Sequence, residues 1–230
     1  MPKKRNIAVS ETKLTLDTQR SVAGELFAPC TKPWEAIYAL KYSIREIGES
    51  LHYDEYDEIA DGVFVHISAY ISHSAKITAP AIICGGARLC HFSHVSGSVI
   101  GAFATVGDGS CVSSSILFDK VSIGSLSCVR SSILGYRTSV GSHVTLSDAR
   151  ADRSTVEFQL PEGVYPTERL HIGSLICDRA SLGDGSVICP GSVIAESASV
   201  SPMTLVDGFV GYTCLKNSTC SSSGPRTKAT

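Results

Sequence analysis

The sequence predicts a mainly β chain wound as a narrow parallel solenoid, on two observations of spacing and one of side-chain size. An aliphatic residue returns every sixth position at Val65, Ile71, Ile77, Ile83, Leu89 and Val95. The same period runs again through Ile176, Leu182, Ile188, Ile194, Val200 and Val206. Four places after each aliphatic the side chain is small: Ala69, Ala75, Ala81, Ala87 and Ser93 in the first run, then Ala180, Ser186, Ser192, Ala198 and Thr204. A half-buried sheet would alternate, and an amphipathic helix would repeat at about 3.6 residues. A unit this short cannot bury its own apolar face, so it must stack on its neighbours.

Residues 1–62 lack the repeat and read as an N-terminal arm with a capping helix. Pro33 suits the first helical turn, Glu35 lies near the positive end of the helix dipole, and Gly48 is placed to stop it. Trp34, Ile37, Leu40, Ile44 and Ile47 fall on one stripe, which is read as packing that covers the open end of the solenoid and its unpaired strand edge.

The solenoid itself is expected over 63–211. Between the two clean runs the period passes through Ile100, Val106, Val112, Phe118, Ile123, Val129, Leu134, Val140 and Leu146. The steps Val95 to Ile100, Phe118 to Ile123 and Val129 to Leu134 are one residue short and read as tightened corners. From 147 to 171 the period lapses into charge, a Pro161-Glu162-Gly163 turn signal and Pro166, as expected of an excursion that closes over a site or packs on a neighbour. The Ser/Thr-rich tail, 212–230, has no apolar pattern and is expected to be disordered.

Composition excludes several classes of function. The net charge is −2, and the Lys3-Lys4-Arg5 cluster is too short to mark a nucleic-acid surface. No apolar stretch reaches membrane-spanning length and no signal-peptide core is present, so a cytoplasmic protein without membrane contact is expected. The nine cysteines are odd in number, scattered and free of CxxC pairs. They read as reduced corner fillers rather than disulfides or metal ligands.

The small residue after each aliphatic resembles the pattern of left-handed parallel β-helices in hexapeptide-repeat proteins. Within that group, GSVIGAFATVGDGS, SSSILFDKVSIG and SSILGYRTSVGS are similar to the bacterial UDP-N-acetylglucosamine pyrophosphorylase and glucosamine-1-phosphate acetyltransferase family. ELFAPCTKPWEAIYAL resembles the segment that precedes the β-helix in short relatives. The resemblance covers roughly residues 25–210. It implies acetyl transfer from acetyl-CoA to an amino sugar phosphate, with a histidine as general base. It does not extend to nucleotidyl transfer, because Gly85-Gly86 and Gly107-Asp108-Gly109 do not open a helix after a strand and so cannot cradle phosphates.

The resemblance also exposes departures. Ser125 stands at the family's histidine, Cys128 at a tyrosine, and Asp148 and Ala149 at an asparagine and a tyrosine. Cys90 and Ser96 stand where short relatives carry arginines, whose loss weakens a sugar phosphate's grip. Counting three hexads per coil, as the resemblance implies, stacks His73, His91, Asp108, Ser125 and Ser142 in one column at about the strand spacing, roughly 4.8 Å. His91, Asp108 and Ser125, with His143 one residue past the column, are the candidate catalytic groups; Asp108 is expected to orient His91. Ser142 and Asp148 are the candidates for holding the coenzyme. No zinc site is expected, since His91, His94 and His143 are wrongly spaced for one shared between subunits.

Two functions follow as expectations. One is an acetyl-CoA-dependent transferase of amino-sugar metabolism with an atypical base. The other is a non-catalytic trimer serving as scaffold or regulatory partner of a separate nucleotidyltransferase. Either is expected to be a homotrimer, with Val99, Ile116, Ile133 and Val144 either outward and available to its interface or interior.

Overall fold

The computed structural model describes residues 16–211; the expected tail and the first fifteen residues lie outside them. Short strands pair in parallel, each with the strand one coil away, and build the three sides of a β-solenoid. The repeating aliphatics fill the interior: Leu89, Val106 and Ile123 share one register column, Val95, Val112 and Val129 a second, Ile83, Ile100, Leu117 and Leu134 a third. All ten are buried. That third column corrects the phase of the repeat. Leu117, not Phe118, points inward, so the short step is Val112 to Leu117.

All three short steps therefore fall at one corner, formed by Ser96-Gly97-Ser98, Ser113-Ser114-Ser115 and Arg130-Ser131-Ser132. The central residues take left-handed φ of 56°, 49° and 44°, which closes the turn in one residue fewer. A ladder of serines holds the shortened corners. Ser98 Oγ donates to the Ser96 carbonyl at 2.7 Å and accepts Ser115 N–H at 3.0 Å; Ser115 Oγ donates to the Ser113 carbonyl at 2.7 Å and accepts Ser132 N–H at 3.1 Å. Each buried hydroxyl thus satisfies a backbone donor of the next coil.

One side of the solenoid is hidden by the rest of the chain. The outward residues Phe64, Ile82, Val99, Ile116, Ile133, Leu175 and Val193 form a register column on that flank, and all are buried. The N-terminal arm reaches it through Phe27, whose ring meets Phe118 edge-on at 5.6 Å. The helix Ala36–Ser50 lies across its first coils. Within that helix Gly48 does not end the element; a Cβ there would collide with the Phe64 ring, and the helix continues to Ser50. The unpaired strand edge expected under the helix is taken instead by the strand Tyr56–Ala60, antiparallel to Val63–His66.

The excursion completes the cover. It contains a hairpin, Val156–Leu160 and Gly163–Arg169, turning at the predicted Pro161-Glu162-Gly163. Phe158 stacks on Trp34 at 4.1 Å with 9° between the rings, and Lys32 Nζ sits 4.2 Å from the centre of the Tyr165 ring. The excursion packs on its own chain. Of the residues expected either at an interface between subunits or in the interior, Val99, Ile116 and Ile133 are buried within the chain, and Val144 is a fully buried corner residue.

Candidate functional site

The predicted column is laid down by strand register. Ile71, Leu89, Val106, Ile123 and Val140 stack in order, so His73, His91, Asp108, Ser125 and Ser142, two residues on, follow one edge of the solenoid. His73 and His91 meet edge to face at 5.7 Å. His91 is exposed, and its Nδ1 lies 2.8 Å from Ser72 Oγ and 3.3 Å from Ser74 Oγ. With Nδ1 protonated and donating to Ser72, Nε2 carries the lone pair.

Asp108 does not orient that ring. Its Oδ1 accepts the backbone N–H of His91 at 2.9 Å. The same contact recurs at other corners, where Asp119 accepts Ala102 N–H at 2.8 Å, Asp178 accepts Tyr136 N–H at 2.8 Å and Asp184 accepts Ser142 N–H at 2.7 Å. An aspartate at this turn position is a device for closing one coil on the next. Ser125 is half-buried, and its carbonyl accepts His143 N–H at 2.9 Å. His143 is exposed on a left-handed corner, φ 57°, one residue beyond the column.

Asp148 is not brought to this edge. The strand Thr145–Leu146 separates it from His143, and its Oδ2 lies 3.4 Å from Ser131 Oγ and 3.7 Å from His171 Nδ1. Beside it, Ser147, Ala149, Arg150, Asp152, Cys189 and Asp207 line a hollow of about 360 Å³.

A larger cavity, about 460 Å³, lies under the N-terminal arm among groups that the spacing argument passed over. Gln19, Glu55, Tyr56, His66, Ser68, Cys84 and Asp119 are among the residues that line it. His66 Nδ1 accepts the Ser68 N–H at 3.0 Å and lies 2.9 Å from the Ser68 hydroxyl. Burial pushes the Cys84 thiol up to about 12, against the lowering effect of a Tyr56 hydrogen bond. Burial likewise raises Tyr56 and Asp119. One sequence signal was available: His66 and Cys84 occupy equivalent places, directly after the in-register Val65 and Ile83. Among the described residues, no three His, Cys, Asp or Glu side chains are grouped to hold a metal ion. No described helix is long and apolar enough to cross a membrane.

Stacked parallel coils, left-handed corners and small corner side chains are what the sequence resemblance implied. Residues 62–164 match the model of a family described as GlmU-like, C-terminal hexapeptide. Among the described residues this hexapeptide solenoid is accompanied by an arm, one helix and a hairpin, with no nucleotidyltransferase domain. No curated protein matches the chain. Several solved structures are similar to it. A Bacillus cereus protein provisionally assigned as an acetyltransferase is 20% identical with TM-score 0.43, over 61% of this chain and 73% of its own. A variant of AntD, an N-acyltransferase from Bacillus cereus in complex with dTDP and coenzyme A, is 21% identical with TM-score 0.38, over 64% and 75%. A variant of perosamine N-acetyltransferase from Caulobacter crescentus, holding CoA and GDP-perosamine, is 15% identical with TM-score 0.28, over 64% of this chain and 49% of its own. The chain thus spans about half the length of that last relative. Their ligands are properties of those proteins.

Proposed function

We propose that this chain is an acetyl-CoA-dependent transferase that acylates the amine of an amino sugar phosphate or nucleotide-linked amino sugar, as a cytoplasmic homotrimer. The observation that carries this reading is an exposed histidine, His91, with Nδ1 on the Ser72 hydroxyl, at the corner of a GlmU-like solenoid. Acetyl-CoA would supply the acyl group as a thioester. Thr105, Ser122, Ser139 and Ser181 give the adjacent side a row of small hydroxyl residues against which its extended arm fits. His91 Nε2 takes the proton from the attacking amine, and Ser72 holds the ring as the imidazolium forms. Ser125 cannot act as that base, since a neutral hydroxyl does not take a proton at neutral pH.

A second reading, a non-catalytic partner of a nucleotidyltransferase, has two observations in its favour: Asp108 is engaged with backbone, and Ser125 stands at the family's histidine. Titration calorimetry with acetyl-CoA, free CoA as control, separates the two. Binding between micromolar and millimolar, about −8 to −4 kcal/mol, is expected for the transferase. His91→Gln is then expected to lower kcat on glucosamine 1-phosphate by about 10²–10⁴ with acetyl-CoA affinity unchanged, whereas His143→Gln is not. No heat at millimolar acetyl-CoA would favour the partner reading.

A further inference from the structure

On another side of the solenoid, next to the row of Thr105, Ser122 and Ser139, the strands Cys111–Ser113 and Cys128–Arg130 pair in parallel with Cys111 directly opposite Cys128. Both side chains stand beside an inward valine, Val112 and Val129, so both point outward, and both are half-buried. The thiols are close enough to share a hydrogen bond, and Cys128 also bonds the Arg130 guanidinium. In-register residues on paired strands lie about 4.8 Å apart, inside the range of roughly 4.4–6.8 Å between Cα atoms that a disulfide requires.

The remaining described cysteines are placed differently. Cys84 and Cys177 are buried, Cys30 donates to the Leu26 carbonyl at 3.0 Å, and the residues that flank Cys90 and Cys189 in register are Ser72 with Gly107 and Ser147 with Asp207.

We propose that Cys111 and Cys128 are a reversible dithiol–disulfide site that responds to hydroperoxides. Cys128 Sγ attacks one oxygen of hydrogen peroxide; the O–O bond breaks, water leaves, and a sulfenic acid remains on Cys128. Arg130 places a positive charge where negative charge gathers as that bond breaks. Cys111 Sγ then attacks the sulfenic sulfur, forming the S–S bond and releasing a second water. Two thiols lose two electrons and one peroxide becomes two waters. A dithiol reductant reverses the bond. The Cβ atoms must approach somewhat closer than the strand spacing, a strain that makes the bond easier to reduce. Closure also withdraws the thiol that Arg130 contacts, so oxidation frees the guanidinium on this side.

The test is peroxide treatment of the reduced full-length chain, alkylation, and mass mapping. The expected product is lighter by about 2 Da before alkylation, two hydrogens lost, with tryptic peptide 121–130 joined to 89–120. Because Cys90 shares the second peptide, the same link must persist in Cys90→Ser. In Cys111→Ser, dimedone is expected to trap Cys128 as a sulfenic acid, and in Cys128→Ser the link is absent. Dithiothreitol restores two alkylatable thiols. Full alkylation of both cysteines after peroxide, or a link that bypasses either one, overturns the proposal; a native circular dichroism spectrum of the treated chain shows that the fold was intact.

Discussion

The covered flank and the open side of this solenoid have the same interior and opposite exteriors. Inside, both present one aliphatic per coil. Outside, the flank carries Ile82, Val99, Ile116 and Ile133, while the side that continues from Arg88 carries Thr105, Ser122 and Ser139. The first set is buried; the second is partly or fully exposed. The three segments without the hexad, arm, helix and hairpin, all gather on the apolar set. The outward neighbours of the repeat, not the repeat itself, decide which side is covered and which is left for chemistry.

The comparison can be broken most directly by placing a charge on each side. Ile116→Asp puts an unpaired carboxylate into the buried flank and is expected to cost about 3–5 kcal/mol by denaturant unfolding. Ser122→Asp, on the open side, is expected to change stability by no more than about 0.5 kcal/mol. Equal effects would mean that the flank is not the structural side.

Alkaline pH sharpens the contrast next, because Cys84 belongs to the covered region. Its thiol ordinarily ionises near 9.0 and burial pushes it up to about 12, with Tyr56 raised in the same direction. Between those values the folded chain keeps a proton that the unfolded chain has lost. The stability from the neutral thiol is therefore complete below pH 9 and is lost as pH rises toward 12, by up to about 1.4 kcal/mol per pH unit. Urea midpoints measured from pH 8 to 10.5 are expected to fall less steeply in Cys84→Ala, starting near the ordinary thiol value of about 9. Parallel slopes would dismiss the thiol as the cause.

The corner that joins the two regions gives a third comparison. Ser115→Ala leaves Ser132 N–H without its acceptor in a buried site and is expected to cost about 1–3 kcal/mol. A cost near zero would show that the serine ladder is filling space rather than bonding coils.

Much of this was legible in the chain. A period of six with small corners permits only stacked coils, because each coil's inward aliphatic needs another above and below it. The column of His73, His91, Asp108, Ser125 and Ser142 followed from that count together with the three hexads per coil that the resemblance implies. Where two apolar residues adjoin, as at Leu117 and Phe118, the count cannot say which faces in. The strand register decides, and it turns Phe118 outward toward Phe27.

Sequence by itself determined the parallel solenoid, its break at 147 and the turn at Pro161-Glu162-Gly163, since each depends on local spacing or local backbone preference. Tertiary structure alone decided the rest. Asp108 meets a peptide N–H and not an imidazole, Gly48 makes room for Phe64 instead of ending a helix, and Cys111 faces Cys128. These are contacts between residues 16 or 17 apart or more, set by how coils and segments stack, and no local pattern encodes the direction in which a side chain meets its partner there.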